Sequence, residues 1–205
     1  MITIRKSEFI IFDVETTGLS PTFGDRVIEI AALKIKNLKP MDEFHSFVDP
    51  QRKISWGAFL VNGISQEMLE GAPKAREVLP KFMEFLGEGY LIGHNVGFDL
   101  GFLTNELTLI RYPLEKEFMA LDTVKMARMF LPGLRRYPLW FVARSLGIDR
   151  IQQHRAMSDV RLTFEVFCRL IEIAERNDIH DLSTLTKWCG RKSRTEKNYF
   201  NRCGG

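Results

Sequence analysis

Asp13 and Glu15 stand two residues apart in Phe12-Asp13-Val14-Glu15-Thr16-Thr17-Gly18, directly after the apolar run Phe9-Ile10-Ile11-Phe12. In an extended chain, side chains at i and i+2 leave from one face, so both carboxylates point to the same place at a strand end. Their hard oxygen ligands suit Mg²⁺ or Mn²⁺, and without a cation two acids this close repel. Such a pair alone decides nothing, because solvated strand ends often carry acids. Asp99 follows a second short apolar run, in His94-Asn95-Val96-Gly97-Phe98-Asp99, and Asp159 opens a helical stretch with His154 five residues before it. Taken singly these are ordinary too, since helix starts favour acids and a lone histidine is most often a surface group. Five modest signals therefore need a joint explanation.

Hydrophobic spacing supplies the elements that must position them. The run from Phe9 to Phe12 reads as a strand buried on both faces. Residues 27–35 and 43–48 read as two more strands, together an antiparallel meander. Ala75–Leu86 has helical spacing despite Pro80, which points to a short or kinked segment. Tyr90-Leu91-Ile92-Gly93 is a fourth strand, leading through His94 into a helix over 98–109 marked by Phe98, Phe102, Leu103 and Leu107. Met119-Ala120-Leu121 is a fifth strand before a helix from Thr123, and 139–146 is a helix closed by Gly147. From Ala156, the positions Val160, Phe164, Phe167, Ile171 and Ala174 mark the core face of a last long helix. The fold class is α/β.

With 205 residues, 45% of them hydrophobic, the chain suits a single domain with a sizeable core. A formal charge of +3, from 29 Lys and Arg against 26 Asp and Glu, is too mild to signal a nucleic-acid partner. Cys168, Cys189 and Cys203 form no C-x-x-C pair, which speaks against a disulfide framework or a cysteine zinc site and fits reduced thiols in a cytoplasmic protein. Arg5, Lys6 and Glu8 interrupt the start, and no run of about 18 apolar residues follows, so neither a signal peptide nor a membrane span is expected. Residues 1–177 read as one domain. Residues 178–205 read as a basic tail, in which Lys187, Arg191, Lys192, Arg194, Lys197 and Arg202 outnumber the acids, with Trp188, Tyr199 and Phe200 between them. That tail is either a solvated end or an extension of an electrostatic track for substrate.

The three motifs together resemble the DnaQ-like 3′→5′ exonucleases of DEDDh type. Residues 12–18 match F-D-x-E-T-T-G, residues 94–99 match H-N-x-x-F-D, and His154 to Asp159 match H-x-x-x-x-D, where the histidine marks the DEDDh branch. The resemblance runs over about residues 8–175. It includes Val61-Asn62-Gly63-Ile64, where relatives often carry histidine at the position of Asn62. It implies a ribonuclease-H-like fold, a mixed five-stranded sheet flanked by helices. It also implies two divalent cations, the first held by Asp13, Glu15 and Asp159 and the second by Asp13 and Asp99, with His154 taking the proton of the attacking water. The substrate would be a single-stranded or frayed 3′ end, released as nucleoside 5′-monophosphates. Thr16 and Thr17 would hold its terminal nucleotide through backbone amides and hydroxyls, Leu19 and Phe98 would face the base, and His94 and Asn95 would touch phosphate or sugar. A substrate contact at Asn62 would be altered by the departure from histidine. The Glu-Thr-Thr-Gly spelling leans towards DNA and towards proofreading members similar to the epsilon subunit of DNA polymerase III, with a DNA polymerase as possible partner. An RNA-trimming enzyme is the alternative of the same class. A non-catalytic nucleic-acid or polymerase-binding module is another, though it would be expected to have lost one of the acids.

Overall fold

Strand β1 (Glu8–Thr16) takes the middle of the sheet because both its faces are apolar, Phe9 and Ile11 burying on one side and Ile10, Phe12 and Val14 on the other. It pairs antiparallel with β2 (Val27–Lys36), which pairs antiparallel with β3 (Lys39–Phe47), giving the expected meander. Its other edge pairs in parallel with β4 (Tyr90–Gly93), and β4 in parallel with β5 (Met119–Asp122). The computed structural model describes residues 3–113 and 118–192.

Between β3 and β4 run α1 (Trp56–Asn62) and α2 (Ala75–Leu86), the latter continuous through Pro80. Sequence spacing does not announce α1, since it exposes Trp56, Leu60 and Val61 and buries Asn62 instead of an apolar stripe. Its signals are local: Ser55 caps it by accepting from Ala58 N, and Gly63 ends it in the left-handed conformation. Together α2 and α3 (Gly97–Leu109) cover the face of Ile10 and Phe12. On the opposite face lie α4 (Thr123–Phe130), α5 (Leu139–Ser145) and α6 (Ala156–Arg176), where the Phe167 ring meets Phe9 edge-on at 5.2 Å. Among the described residues no helix is long and apolar enough to cross a membrane.

The sheet has six strands, not the expected five, in the order β3-β2-β1-β4-β5-β6. After α7 (Leu182–Cys189), which buries Leu182, Leu185 and Cys189 in the same cluster as α6, the short β6 (Gly190–Lys192) pairs antiparallel with β5. Gly-Arg-Lys has no apolar alternation, so only backbone pairing and the preceding helix identify it as a strand. Lys187 and Arg191, expected in a tail, therefore lie on elements packed against the sheet. Arg194, Glu196, Lys197, Tyr199, Phe200, Arg202 and Cys203 lie outside the described residues.

One buried ion pair fixes α3 against the meander. Glu106, 1% exposed, accepts from Arg26 Nε and Nη2, both at 2.7 Å, and from Val27 N at 3.1 Å. Glu106→Ala strips the Arg26 guanidinium and the Val27 N–H of that carboxylate and should lower the unfolding free energy by about 3–5 kcal/mol, read by urea denaturation. A loss below about 1 kcal/mol would show that the pair does not hold α3.

Candidate active site

The site grows from an overhang. β4 pairs with β1 only as far as Ile11, opposite Ile92, so β1 runs on past its parallel neighbour. There the Val14 N–H is taken by Asp99 Oδ1 at 3.2 Å, offered from the first turn of α3. Asp13 and Glu15, half-buried between Phe12, Val14 and Thr16, leave β1 on the α6 face. Asp159 comes from the first turn of α6 and is 3% exposed. One carboxylate oxygen from each of Asp13, Glu15 and Asp159 lies within 4.8 Å of the others. Asp99 stands outside this tight trio but raises the pKa of Asp13 through charge.

At an effective dielectric of about 20, two full charges 4.8 Å apart repel by about 3.5 kcal/mol. Burial, followed by the charges of Asp99, Glu15 and Asp159, holds the Asp13 carboxyl well above the usual carboxylate range. Burial, then Asp159 and Glu29, push Glu15 up to about 8 against a hydrogen bond from Asn62. Asp99 is raised to about 7 by burial, opposed by the Val14 N–H. Asp159 is raised by burial, opposed first by the Gln152 amide. Its Oδ2 accepts from Gln152 Nε2 at 2.7 Å, whereas its Oδ1 is buried with no hydrogen-bond partner. An acid trio with an orphaned buried oxygen fits a divalent cation, which would satisfy that oxygen and neutralise the repulsion.

The other sequence candidates divide in two. Leu19 is 86% exposed, Asn95 is exposed with a left-handed backbone (φ 64°), and Phe98 is half-buried against Phe102. His154 is exposed, also left-handed, at φ 50°. The remainder are engaged inside the protein. Thr17 Oγ1 donates to Asp25 Oδ1 and accepts from Arg26 N, while the Thr17 N–H donates to the Arg26 carbonyl. Thr16 Oγ1 donates to the Gly18 carbonyl at 2.6 Å. Burial lowers the pKa of His94, whose Nε2 lies 2.8 Å from the Tyr137 carbonyl and whose Nδ1 lies 2.9 Å from Thr123 Oγ1, a hydroxyl that also reaches the Gly93 carbonyl at 3.2 Å. Asn62 Nδ2 donates to the Thr16 carbonyl and its Oδ1 accepts from Ile64 N. The hydroxyls of Thr16 and Thr17 and the ring of His94 thus have partners within the protein, as polar groups in buried turns need.

A family model described as exonuclease, RNase_T, matches residues 10–167. The chain belongs to the DnaQ-like exonuclease family. The PolC-type DNA polymerase III of Clostridium perfringens (strain 13 / Type A) is 40% identical over 181 residues, 88% of this chain and 12% of that protein. That of Thermotoga maritima is 38% identical over 185 residues, 90% and 13% respectively. The chain thus spans only 12–13% of the length of these DnaQ-like relatives. Exonuclease X in complex with 5′ overhanging duplex DNA has a TM-score of 0.64 at 24% identity, covering 83% of this chain and 93% of that one. The zinc-bound E. coli ExoI–ssDNA complex has a TM-score of 0.73 at 19% identity, covering 84% and 42%. These likenesses show the fold, which is ribonuclease-H-like.

Several residues that hold this DnaQ-like site escaped the sequence reading. Asp122 Oδ1 accepts from Asn95 N and Val124 N, fixing the turn before α3 while capping α4. Asp25 accepts from Ser20 N and Thr17 and crowds Gly18, where a Cβ would run into its carboxylate. Glu29 sits in the otherwise apolar run Val27-Ile28-Glu29-Ile30, a signal that was open to reading. Gln152 has no such signal.

The raised pKa values set a sign. In the unfolded chain these carboxyls titrate at about 4, and in the folded chain Glu15 and Asp99 do so at about 8 and about 7. Between those limits the folded state holds more protons, so stability falls as pH rises. In chelator, the melting temperature should drop from about pH 6 to about pH 8.5, Mn²⁺ should restore it at the higher pH, and Asp13→Asn should flatten the slope. A melting temperature indifferent to both pH and Mn²⁺ would contradict this.

Proposed function

We propose that the chain is a metal-dependent exonuclease domain that releases nucleoside 5′-monophosphates, one at a time, from the 3′ end of single-stranded or frayed DNA. The observation that carries this reading is the convergence of Asp13, Glu15 and Asp159 around an unpartnered buried oxygen, inside a family of exonucleases. Two cations, Mg²⁺ or Mn²⁺, would be held by Asp13, Glu15 and Asp159 and by Asp13 with Asp99. Bound there, they supply positive charge for the attacking and leaving oxygens of an in-line displacement at the terminal phosphodiester.

The chain's own residues do the rest. Asp99 is steadied by the Val14 N–H, so its carboxylate is already oriented when a cation arrives. His154, exposed and five residues before Asp159, takes the proton of the attacking water as general base. Leu19 and Phe98 offer apolar surfaces to the terminal base, a contact that tolerates any sequence, and Asn95 is free to reach phosphate or sugar. Asn62, Thr16, Thr17 and His94 set the shape of the turns around that nucleotide. DNA is favoured because the relatives are named as DNA polymerases and the two structural neighbours are named as complexes with DNA. A match lying within much larger polymerases favours a proofreading role. The presence of all four acids and the histidine in the sequence argues against a binding module without activity.

Incubation of 5′-labelled DNA, RNA and a mismatched duplex with each cation should give a ladder fastest on unpaired DNA, and faster shortening of RNA would move the assignment to RNA trimming. His154→Ala should lower the single-turnover rate about 10²–10⁴-fold while metal still binds. Asp159→Ala should instead weaken metal affinity, read by calorimetry. A folded His154→Ala that cleaves at the wild-type rate would remove His154 as the base.

A further inference from the structure

His154 keeps a left-handed backbone, φ 50°, an uncommon conformation for a residue with a side chain. Both flanks are anchored. On one side the Gln152 amide bridges two elements, its Nε2 donating to Asp159 Oδ2 at 2.7 Å and its Oε1 accepting from Trp140 N at 3.3 Å. On the other, Arg155 donates through Nε and Nη2 to the two oxygens of Glu29 at 3.1 and 2.9 Å, and the next N–H, of Ala156, reaches Glu29 Oε2 at 3.1 Å. Glu29 is 1% exposed, lies opposite Glu15 in the β1–β2 pairing, and has His45 Nε2 at 2.7 Å as a further partner. Arg155 is the N-cap of α6 without a side-chain cap of its own, so Glu29 serves from a distant strand the helix start that carries Asp159.

A buried ion pair is a poor source of net stability, and its value here is direction. The planar fork of Arg155 on one carboxylate fixes the backbone one peptide from His154. We propose that Gln152 and the Glu29–Arg155 pair form a two-point clasp that positions His154 for proton transfer. Gln152, Glu29 and Arg155 are positioning residues, and the inference rests on His154 being the general base.

Arg155→Lys keeps the charge but loses the fork, and Gln152→Ala releases the other flank. Both are measured by single-turnover cleavage of 5′-labelled single-stranded DNA at saturating Mn²⁺, each alone and combined with His154→Ala. Alone, each should lower the maximal rate about tenfold or more while leaving the half-saturating DNA concentration within about threefold of wild type. Combined with His154→Ala, each should change the rate by less than about twofold, because the group they position is gone. If His154→Ala is itself unimpaired, the general-base reading fails and takes the clasp with it. If His154→Ala is slow but Arg155→Lys and Gln152→Ala cleave at the wild-type rate, the clasp alone fails. It fails equally if either variant loses the same factor with and without His154.

Discussion

Carboxylate repulsion at the end of β1 is the constraint to which the surrounding structure answers. Asp13, Glu15 and Asp159 place oxygens within 4.8 Å of one another, and Asp99 adds its field to Asp13. Unbalanced, that charge would push β1, α3 and α6 apart. Two features of the backbone ease it. Asp99 and Asp159 each stand in the first turn of a helix, where unpaired N–H groups and the aligned peptide dipoles favour negative charge. And β1 overruns β4, so an edge N–H is free to receive a carboxylate that a longer β4 would have excluded.

Pairing with arginine separates Glu106 and Glu29 from the four acids around the end of β1. Glu106 is gripped by Arg26, and Glu29 by Arg155, while Asp122 accepts two backbone N–H groups. Among the described residues, none of Asp13, Glu15, Asp99 and Asp159 is ion-paired with a lysine or arginine. The arginines stand one layer out, fixing the strands and helix starts from which the four acids project. Arginines are thus supplied to Glu29 and Glu106 and withheld from these four, which supports the proposed cation site.

Most of this was legible in the sequence because it is local. Phe9 to Phe12 marks a buried central strand, and the spacing of Asp13 and Glu15 puts both on one face. The stripe from Val160 to Ala174 gives α6 and the face that carries Asp159. What failed to show depends on distant partners. The partner of His94, Tyr137, lies 43 residues away, and that of Thr17, Arg26, lies across the β1–β2 connection, and neither pairing is marked by a local pattern. β6 is three residues without alternation, held by β5, and α1 has no apolar stripe because its exposed residues are the apolar ones. Glu29 was visible as a charge inside an apolar strand, but its partner Arg155 lies 126 residues away.

The central claim is that these acids hold protons until a cation replaces them, and proton release tests it directly. Calorimetric titration of Mn²⁺ into the metal-free protein at about pH 7, repeated in buffers of different ionisation enthalpy, counts the protons set free on binding. With Glu15 at about 8 and Asp13 well above the carboxylate range, about one proton or more should leave per protein, and fewer at about pH 9. Binding with no proton release at about pH 7 would mean that the carboxylates are already ionised without the cation, and would contradict the account.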